Sequence, residues 1–72
     1  MSQNLPLISI LINCYNAENF IAECIKSVLN QTYKNIEIII WDNNSTDKTQ
    51  DIIKLFNDKR IKYYKSKKYQ SL

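Results

Sequence analysis

The sequence has no glycine and no histidine, and only one proline among its 72 residues. Average usage of about 7% would give roughly five glycines in a chain of this length. Without glycine there is neither a G-x-G-x-x-G turn for a dinucleotide nor a G-x-x-x-x-G-K-[ST] phosphate-binding loop. We expect some of the nine asparagines to occupy turn positions instead, because asparagine tolerates the left-handed backbone region best after glycine.

Cysteine is also scarce, since Cys14 and Cys24 are the only two in the chain. They form no C-x-x-C pair, and without histidine they predict neither a zinc site nor a disulfide framework. We therefore expect buried free thiols in a reducing compartment.

Long apolar runs are missing as well. The run Leu7–Ile12 is too short for a signal sequence or a membrane span, so we expect a cytoplasmic protein.

Size limits what the chain can be. Its hydrophobic fraction of 44% is ordinary for a globular protein, which argues against disorder. A doubly wound α/β domain usually needs roughly 100–150 residues, however. The sequence therefore predicts either a miniature fold or the front part of a larger one.

Charge is unevenly distributed along the chain. Residues 1–58 carry four lysines and seven acids, giving −3, whereas residues 59–72 carry six basic residues and no acid. A basic end can bind nucleic acid, anionic lipid or phosphate. A solvated surface is the simpler interpretation of the same residues.

The pattern that is present centres on residues 36–49, IEIIIWDNNSTDKT. The apolar run from Ile38 to Trp41 stops abruptly at the polar cluster Asp42–Ser45. Such runs are typical of a parallel strand buried on both faces, and we expect Trp41 to pack between the sheet and a helix. Ligands of open α/β sheets bind outside the carboxyl ends of the strands. The polar cluster is therefore a candidate ligand site.

A similar strand and helix come first. Leu7–Ile12 predicts another doubly buried strand, and it ends at the polar segment Asn13–Asn16. We expect Asn16 to cap the helix that follows. Apolar residues at helical spacing give that helix one buried face. They are Phe20, Ile21, Cys24, Ile25, Val28 and Leu29.

A second helix and a third strand complete the prediction. Asn44 or Ser45 is expected to cap the helix, which is predicted to end near Asn57–Asp58. Ile61–Lys65 alternates well enough for a more exposed strand. The order β-α-β-α-β with right-handed crossovers predicts an α/β, Rossmann-like unit with parallel strand order 3-2-1. All three strand ends, the last at Ser66–Lys68, then lie on one edge.

From the residues alone, this edge offers side chains suited to a nucleotide. Asn13, Asp42 and Asn43 can hydrogen-bond to a base edge or a ribose hydroxyl, and the ring of Tyr15 can stack on a base. Turn formation is an alternative role for Asp42, and packing is an alternative role for Tyr15. For Asn16 and Ser45 the alternative is helix capping alone.

Three motifs in register resemble the start of the inverting family 2 glycosyltransferases. They are the Tyr15–Glu18 turn (YNAE), the helix end Ser27–Tyr33 (SVLNQTY) and the strand end Asp42–Asp47 (DNNSTD). The resemblance covers about residues 7–66. Three spaced motifs are far more specific than any one of them.

The resemblance implies the N-terminal part of a GT-A fold that binds a nucleotide-diphosphate sugar, with UDP as the expected nucleotide. It places Asn13 and Tyr15 in the base pocket, and Asp42 and Asn43 against the uracil or its ribose. Asn43 stands where the family has a second acid, and Asn13 replaces a commoner threonine. An amide can still read a base edge, but it supplies no negative charge.

The resemblance also implies what these 72 residues lack. No Asp-x-Asp occurs in them, so the family's motif for a divalent metal, Mg or Mn, and its catalytic base are expected only in a full-length parent. We therefore expect residues 1–72 to be an incomplete glycosyltransferase domain with no catalytic residue and no bound metal. The parent would transfer a sugar, with inversion, to a glycan or lipid-linked acceptor.

Two other interpretations remain open from the sequence. One is a stand-alone nucleotide-binding module. The other is a non-enzymatic interaction domain that uses its basic end on nucleic acid, although we expect no nucleic-acid partner. An incomplete sheet would leave backbone groups of the third strand unpaired, so we also expect a tendency to self-association through that edge.

Overall fold

The computed structural model describes residues 5–68 and contains five elements in the predicted order β-α-β-α-β. They are β1 (Ile8–Cys14), α1 (Ile21–Leu29), β2 (Ile36–Asp42), α2 (Thr49–Lys54) and β3 (Ile61–Lys65). The bounds of β3 are those predicted. Strand β1 ends two residues later than predicted, and α2 ends at Lys54 rather than near Asn57.

The three strands form a parallel sheet with β2 in the middle and β1 and β3 at the edges. This is the predicted order 3-2-1 counted from the opposite edge, so the α/β Rossmann-like prediction is confirmed. In register, Cys14 pairs with Asp42, and Asp42 pairs with Lys65. All three strands therefore end together at one edge, which is called the carboxyl edge below.

The core is made of isoleucine from three elements. The fully buried apolar residues are Ile21, Ile25, Ile36, Ile38, Ile40 and Ile53. Every second residue of β2 contributes to this set, because alternate side chains of a strand point to the same face. The other members come from α1 and α2, so both helices cover one face of the sheet.

The opposite face of the sheet is uncovered in the described part of the chain. Leu11 is 70% exposed and Trp41 is 38% exposed. The predictions that β1 and β2 are buried on both faces, and that Trp41 packs beneath a helix, are therefore wrong. Two right-handed crossovers that step in the same direction across a sheet put both helices on the same face.

The helix α1 also buries a narrower stripe than predicted. Phe20 is 72% exposed and Cys24 is exposed, whereas Ile21 and Ile25 are buried. Phe20 and Cys24 lie one position, or about 100°, to the side of the isoleucines, where no other element of the described chain covers them. The prediction of two buried thiols is therefore wrong for Cys24, while Cys14 is half-buried; both are free thiols.

No helix in residues 5–68 has the length and apolar character needed to cross a bilayer.

Candidate functional site

Two loops form most of the carboxyl edge, and they are hydrogen-bonded to each other. The first loop (residues 15–20) joins β1 to α1, and the second (residues 43–48) joins β2 to α2. The backbone N–H of Asn16 donates to Ser45 Oγ at 2.8 Å, and Asn16 Oδ1 accepts from the N–H of Thr46 at 2.8 Å. Each loop therefore satisfies polar groups of the other.

Further bonds continue this contact into α2. Ala17 N–H donates to Thr49 Oγ1 at 2.8 Å, and Thr49 is fully buried. Glu18 N–H donates to Asp47 Oδ2 at 3.2 Å, while Lys48 N–H donates to Glu18 Oε1 at 3.0 Å. We refer to this set of bonds between residues 16–18 and 45–49 as the loop clasp.

Within residues 5–68, asparagine rather than glycine occupies the two backbone positions that have a left-handed conformation. Asn16 has φ of 49° and Asn44 has φ of 63°, which confirms the expectation drawn from the missing glycines. The capping prediction for Asn16 is wrong, however. Helix α1 begins at Ile21 with no side-chain cap, because five positions separate the two residues. Asn16 instead accepts N–H bonds from the chain that enters α2.

The predicted caps of α2 are also displaced. The helix begins after Lys48, not after Asn44 or Ser45. Asp47 Oδ1 accepts the N–H of Thr49 at 2.9 Å. Burial acts to raise the pKa of Asp47, but hydrogen bonds from Thr49 and Glu18 outweigh it and lower that pKa below the ordinary value.

Asp42 is fully buried and bonds to protein groups through both carboxylate oxygens. Oδ1 accepts the N–H of Ser45 at 2.8 Å, and Oδ2 accepts the hydroxyl of Tyr63 at 2.5 Å. Burial, together with the bond to Asp42, raises the pKa of Tyr63. Asp42 thus holds the second loop to β3.

The structure places the four predicted site residues at one edge but in two environments. Asn13 is exposed, and Tyr15 is 46% exposed just past the end of β1. Asp42 and Asn43 are buried beside them, and Asn43 N–H donates to the carbonyl of Cys14 at 2.8 Å. Asn13 and Tyr15 can therefore contact a ligand directly, whereas Asp42 fixes the shape of the rim.

A cavity of about 580 Å³ opens at the same edge and was not predicted from the sequence. It is lined by Trp41, Lys65, Ser66, Lys67 and Lys68. Ser66–Lys68 was predicted to lie at this edge. The sequence prediction that Trp41 packs beneath a helix leaves no place for this cavity, whereas in the structure Trp41 forms part of its wall.

A divalent metal does not fit the described residues. Within residues 5–68 no three carboxylate, thiol or imidazole groups lie close enough together to hold an ion. The carboxylates of Asp42 and Asp47 already accept hydrogen bonds from the protein. No chemical step is therefore assigned to a metal in this part of the chain.

Comparison with known proteins identifies relatives of this chain. A 48% identical match over 69 residues is an uncharacterized glycosyltransferase of Haemophilus influenzae; it covers 90% of this chain and 21% of that protein. The UDP-Glc:alpha-D-GlcNAc-diphosphoundecaprenol beta-1,3-glucosyltransferase WfaP of Escherichia coli is 53% identical over 57 residues, or 79% of this chain and 23% of the enzyme. The GalNAc(5)-diNAcBac-PP-undecaprenol beta-1,3-glucosyltransferase of Campylobacter jejuni is 34% identical over 68 residues, 92% of this chain and 22% of the enzyme.

The chain thus spans about a fifth of the length of these relatives. The sequence profile of glycosyl transferase family 2 matches residues 9–71, nearly the whole chain. The matched range includes the two loops, all three strand ends and the residues that line the cavity. This chain belongs to glycosyl transferase family 2.

Proposed function

We propose that residues 1–72 form the nucleotide-binding part of an inverting glycosyltransferase. The donor is a nucleotide-diphosphate sugar, with UDP as the nucleotide. The acceptor is a lipid-linked saccharide or glycan at the inner face of the bacterial membrane, in polysaccharide biosynthesis. Two relatives support this choice, because their names specify acceptors linked to undecaprenol through a diphosphate.

The arrangement of the carboxyl edge is the observation that carries the proposal. Tyr15 presents a half-exposed ring immediately after β1, and exposed Asn13 lies two positions earlier. The clasped loops hold the adjacent backbone in place. Stacking of a base on an aromatic ring and hydrogen bonding by an amide are the interactions that a nucleoside needs.

Binding of UDP to the ¹⁵N-labelled chain tests this proposal. We expect UDP to shift the amide resonances of Tyr15 and Asn43. Tyr15→Ala should weaken binding by about tenfold, because stacking of a base on an aromatic ring contributes about 1–3 kcal/mol. Phe20→Ala is the matched control, since Phe20 is a more exposed aromatic residue at the start of α1. Equal affinity of both variants would contradict the proposal.

The chain alone is proposed to be catalytically inactive. Its described residues hold no carboxylate cluster for a metal, and Asp42 is fully buried. In a transfer assay with UDP-sugar, Mg²⁺ or Mn²⁺ and a lipid-linked acceptor, we expect no product above the background without protein. Metal-dependent transfer by these 72 residues would refute this part of the proposal.

Nucleic-acid binding is the second candidate, and the basic residues 59–68 favour it. Such binding would weaken steeply with added salt, because phosphate contacts release counterions. A titration with single-stranded RNA at two salt concentrations separates the candidates. Tight, salt-dependent binding that shifts resonances of residues 59–68, without any response to UDP, would favour the second.

A further inference from the structure

The edge of the sheet opposite the carboxyl edge is a second surface, and none of the four proposed nucleotide contacts lies on it. All three parallel strands begin there. It comprises residues 5–8, the loop 30–35 between α1 and β2, and the loop 55–60 between α2 and β3. We call this surface the amino edge. Both helices also end there, because each one leads the chain back to the start of the next strand.

Hydrogen bonds join the three segments of the amino edge. Asn35 Nδ2 donates to the carbonyl of Leu5 at 2.7 Å, and the N–H of Ile8 donates to the carbonyl of Asn35 at 3.0 Å. Arg60 Nη1 donates to the carbonyl of Lys34 at 3.4 Å. The three segments therefore form one continuous surface.

Leucine side chains are exposed on this surface. Leu5 and Leu7 are more than half exposed, and Leu55, directly after α2, is the most exposed large apolar residue in residues 5–68 at 81%. Beside Leu55 a cavity of about 320 Å³ opens between the two helices. Its other lining residues are Ala22, Lys26, Ile52 and Phe56. The amino edge therefore offers apolar groups to a partner that can bury them.

Positive charge lies beside these leucines. Lys34 and Lys59 are exposed in the two loops, and Lys26 and Lys54 are exposed in the last turns of α1 and α2. None of the four lysines makes an ion pair within the described part of the chain. Their charge is therefore available to an anionic partner.

The acids of the amino edge are already bonded to other groups. Asp58 forms an ion pair with Arg60 at 2.9 Å, and the carboxylate of Glu37 accepts a hydroxyl hydrogen bond from β1. In the helices, Glu23 and Asp51 lie in the first turns, nearer the carboxyl edge. The amino edge therefore has five cationic side chains and two carboxylates.

We propose that the amino edge binds the surface of an anionic phospholipid bilayer. The three leucines enter the boundary between headgroups and acyl chains, and the lysines lie among the headgroup phosphates. Exposed leucines favour a bilayer over nucleic acid, because a phosphate backbone cannot bury them. The choice of a membrane rests on the proposed function, in which the acceptor is lipid-linked.

Binding at the amino edge leaves the proposed nucleotide site free. The seven residues of β2 separate the two edges of the sheet by about 20 Å. Binding to vesicles and binding of UDP can therefore be measured independently on the same chain.

Co-sedimentation with lipid vesicles tests the proposal. One set of vesicles contains equal parts of phosphatidylglycerol and phosphatidylcholine, and the other contains phosphatidylcholine alone. We expect the chain to bind the anionic vesicles at least about tenfold more tightly, because each lysine near an anionic surface adds to the attraction.

A charge-matched pair of double variants locates the contact. Lys34→Gln with Lys54→Gln should weaken binding to the anionic vesicles by about thirtyfold and leave UDP affinity unchanged. The control is Lys67→Gln with Lys68→Gln, which removes the same charge from exposed residues at the carboxyl edge. It should weaken vesicle binding by less than about threefold, because distant charges are screened.

A second pair of variants tests the apolar contact. Leu55→Ala keeps every lysine and should weaken vesicle binding by about fivefold, because less apolar area enters the lipid. Phe20→Ala is the control, since Phe20 is 72% exposed but precedes α1 near the carboxyl edge. We expect Phe20→Ala to bind the vesicles like the wild type.

Four results would overturn the proposal. Equal losses in the two lysine variants would assign the binding to net charge, and equal losses in Leu55→Ala and Phe20→Ala would remove the apolar contact. Binding to soluble polyglutamate as tight as to the vesicles would assign the surface to an acidic polypeptide. Absence of vesicle binding, with the amide of Tyr15 still shifted by UDP, would reject the amino edge and leave the proposed function standing. Vesicle binding that needs Lys34 and Lys54, without any response to UDP, would support the amino edge and reject the proposed function.

Discussion

Asp42 joins β2, the second loop and β3 through its two carboxylate oxygens. Replacing its partner by Tyr63→Phe removes the hydroxyl donor and leaves a buried carboxylate oxygen less satisfied. We expect the free energy of unfolding to fall by about 1–3 kcal/mol, measured by urea denaturation. Tyr64→Phe is the matched control, because its side chain is 50% exposed on the open face; equal losses in the two variants would contradict this role of Asp42.

The two cysteines should react at very different rates. Burial raises the pKa of Cys14 to about 11, and the negative charges of Asp42 and Asp47 add to the effect. The thiolate is the reactive form of cysteine, so at pH 8 we expect iodoacetamide to modify exposed Cys24 rapidly and Cys14 slowly. Mass spectrometry of digested protein measures both rates. Similar rates for the two cysteines in the folded chain would refute the prediction. In urea, where the chain is unfolded, we expect the two rates to be similar.

At the scale of elements, the loop clasp fixes the entrances of α1 and α2. Asn16→Ala removes the acceptor for the N–H of Thr46 and puts a Cβ without a polar group at φ of 49°. We expect a loss of about 2–3 kcal/mol, because both the backbone strain and the lost bond contribute. Asn16→Gly relieves the backbone strain but also lacks the side-chain acceptor. Its free energy of unfolding, measured by chemical denaturation, should therefore lie between those of the wild type and Asn16→Ala. A glycine variant no more stable than the alanine variant would show that the backbone conformation is unimportant.

The elements themselves were largely predictable from periodicity. The order β-α-β-α-β and the bounds of β3 followed from local patterns, and the central position of β2 followed from the handedness of the crossovers. The buried faces did not, because an apolar run such as Leu7–Ile12 gives no sign of whether a second layer covers it. The loop clasp was equally hidden, since its partners lie about 30 positions apart in sequence. For the same reason, nothing local indicated that Asp42 bonds to Tyr63.

For the whole molecule, stability should decline at both ends of the pH scale. Hydrogen bonds from Arg60 lower the pKa of Asp58, and those from Thr49 and Glu18 lower that of Asp47. A lowered carboxyl pKa stabilises the fold above the ordinary value of 3.8, and that stability is lost as the pH falls through the folded-state pKa. The raised pKa of Tyr63 has the opposite pH dependence. Its contribution to the stability of the fold is complete below the ordinary pKa of 10 and is lost as the pH rises above that value.

Urea denaturation across the pH range measures this dependence. We expect a plateau between about pH 5 and 9, with falling stability on either side. In Asp47→Asn the fall on the acid side should become shallower, and in Tyr63→Phe the fall on the alkaline side should do so. An acid limb of unchanged steepness in Asp47→Asn would contradict the assignment.

The open face and the two edge strands should make the isolated chain associate. Leu11 is 70% exposed, and it lies next to Ile39 in the register. Leu11→Lys places a charge there, and we expect it to lower the concentration-dependent increase in sedimentation coefficient. Leu55→Lys is the control, because Leu55 is 81% exposed but lies on the helical side. If both variants associate like the wild type, the open face is not the contact.

The loop clasp has a mechanical consequence for any ligand that enters at Tyr15. Because residues 16–18 and 45–49 are hydrogen-bonded directly, opening either loop requires these bonds to break. Holding the first loop still therefore damps the motion of a segment some thirty positions farther along the chain. We therefore expect a ligand bound at Tyr15 to restrain both crossovers together.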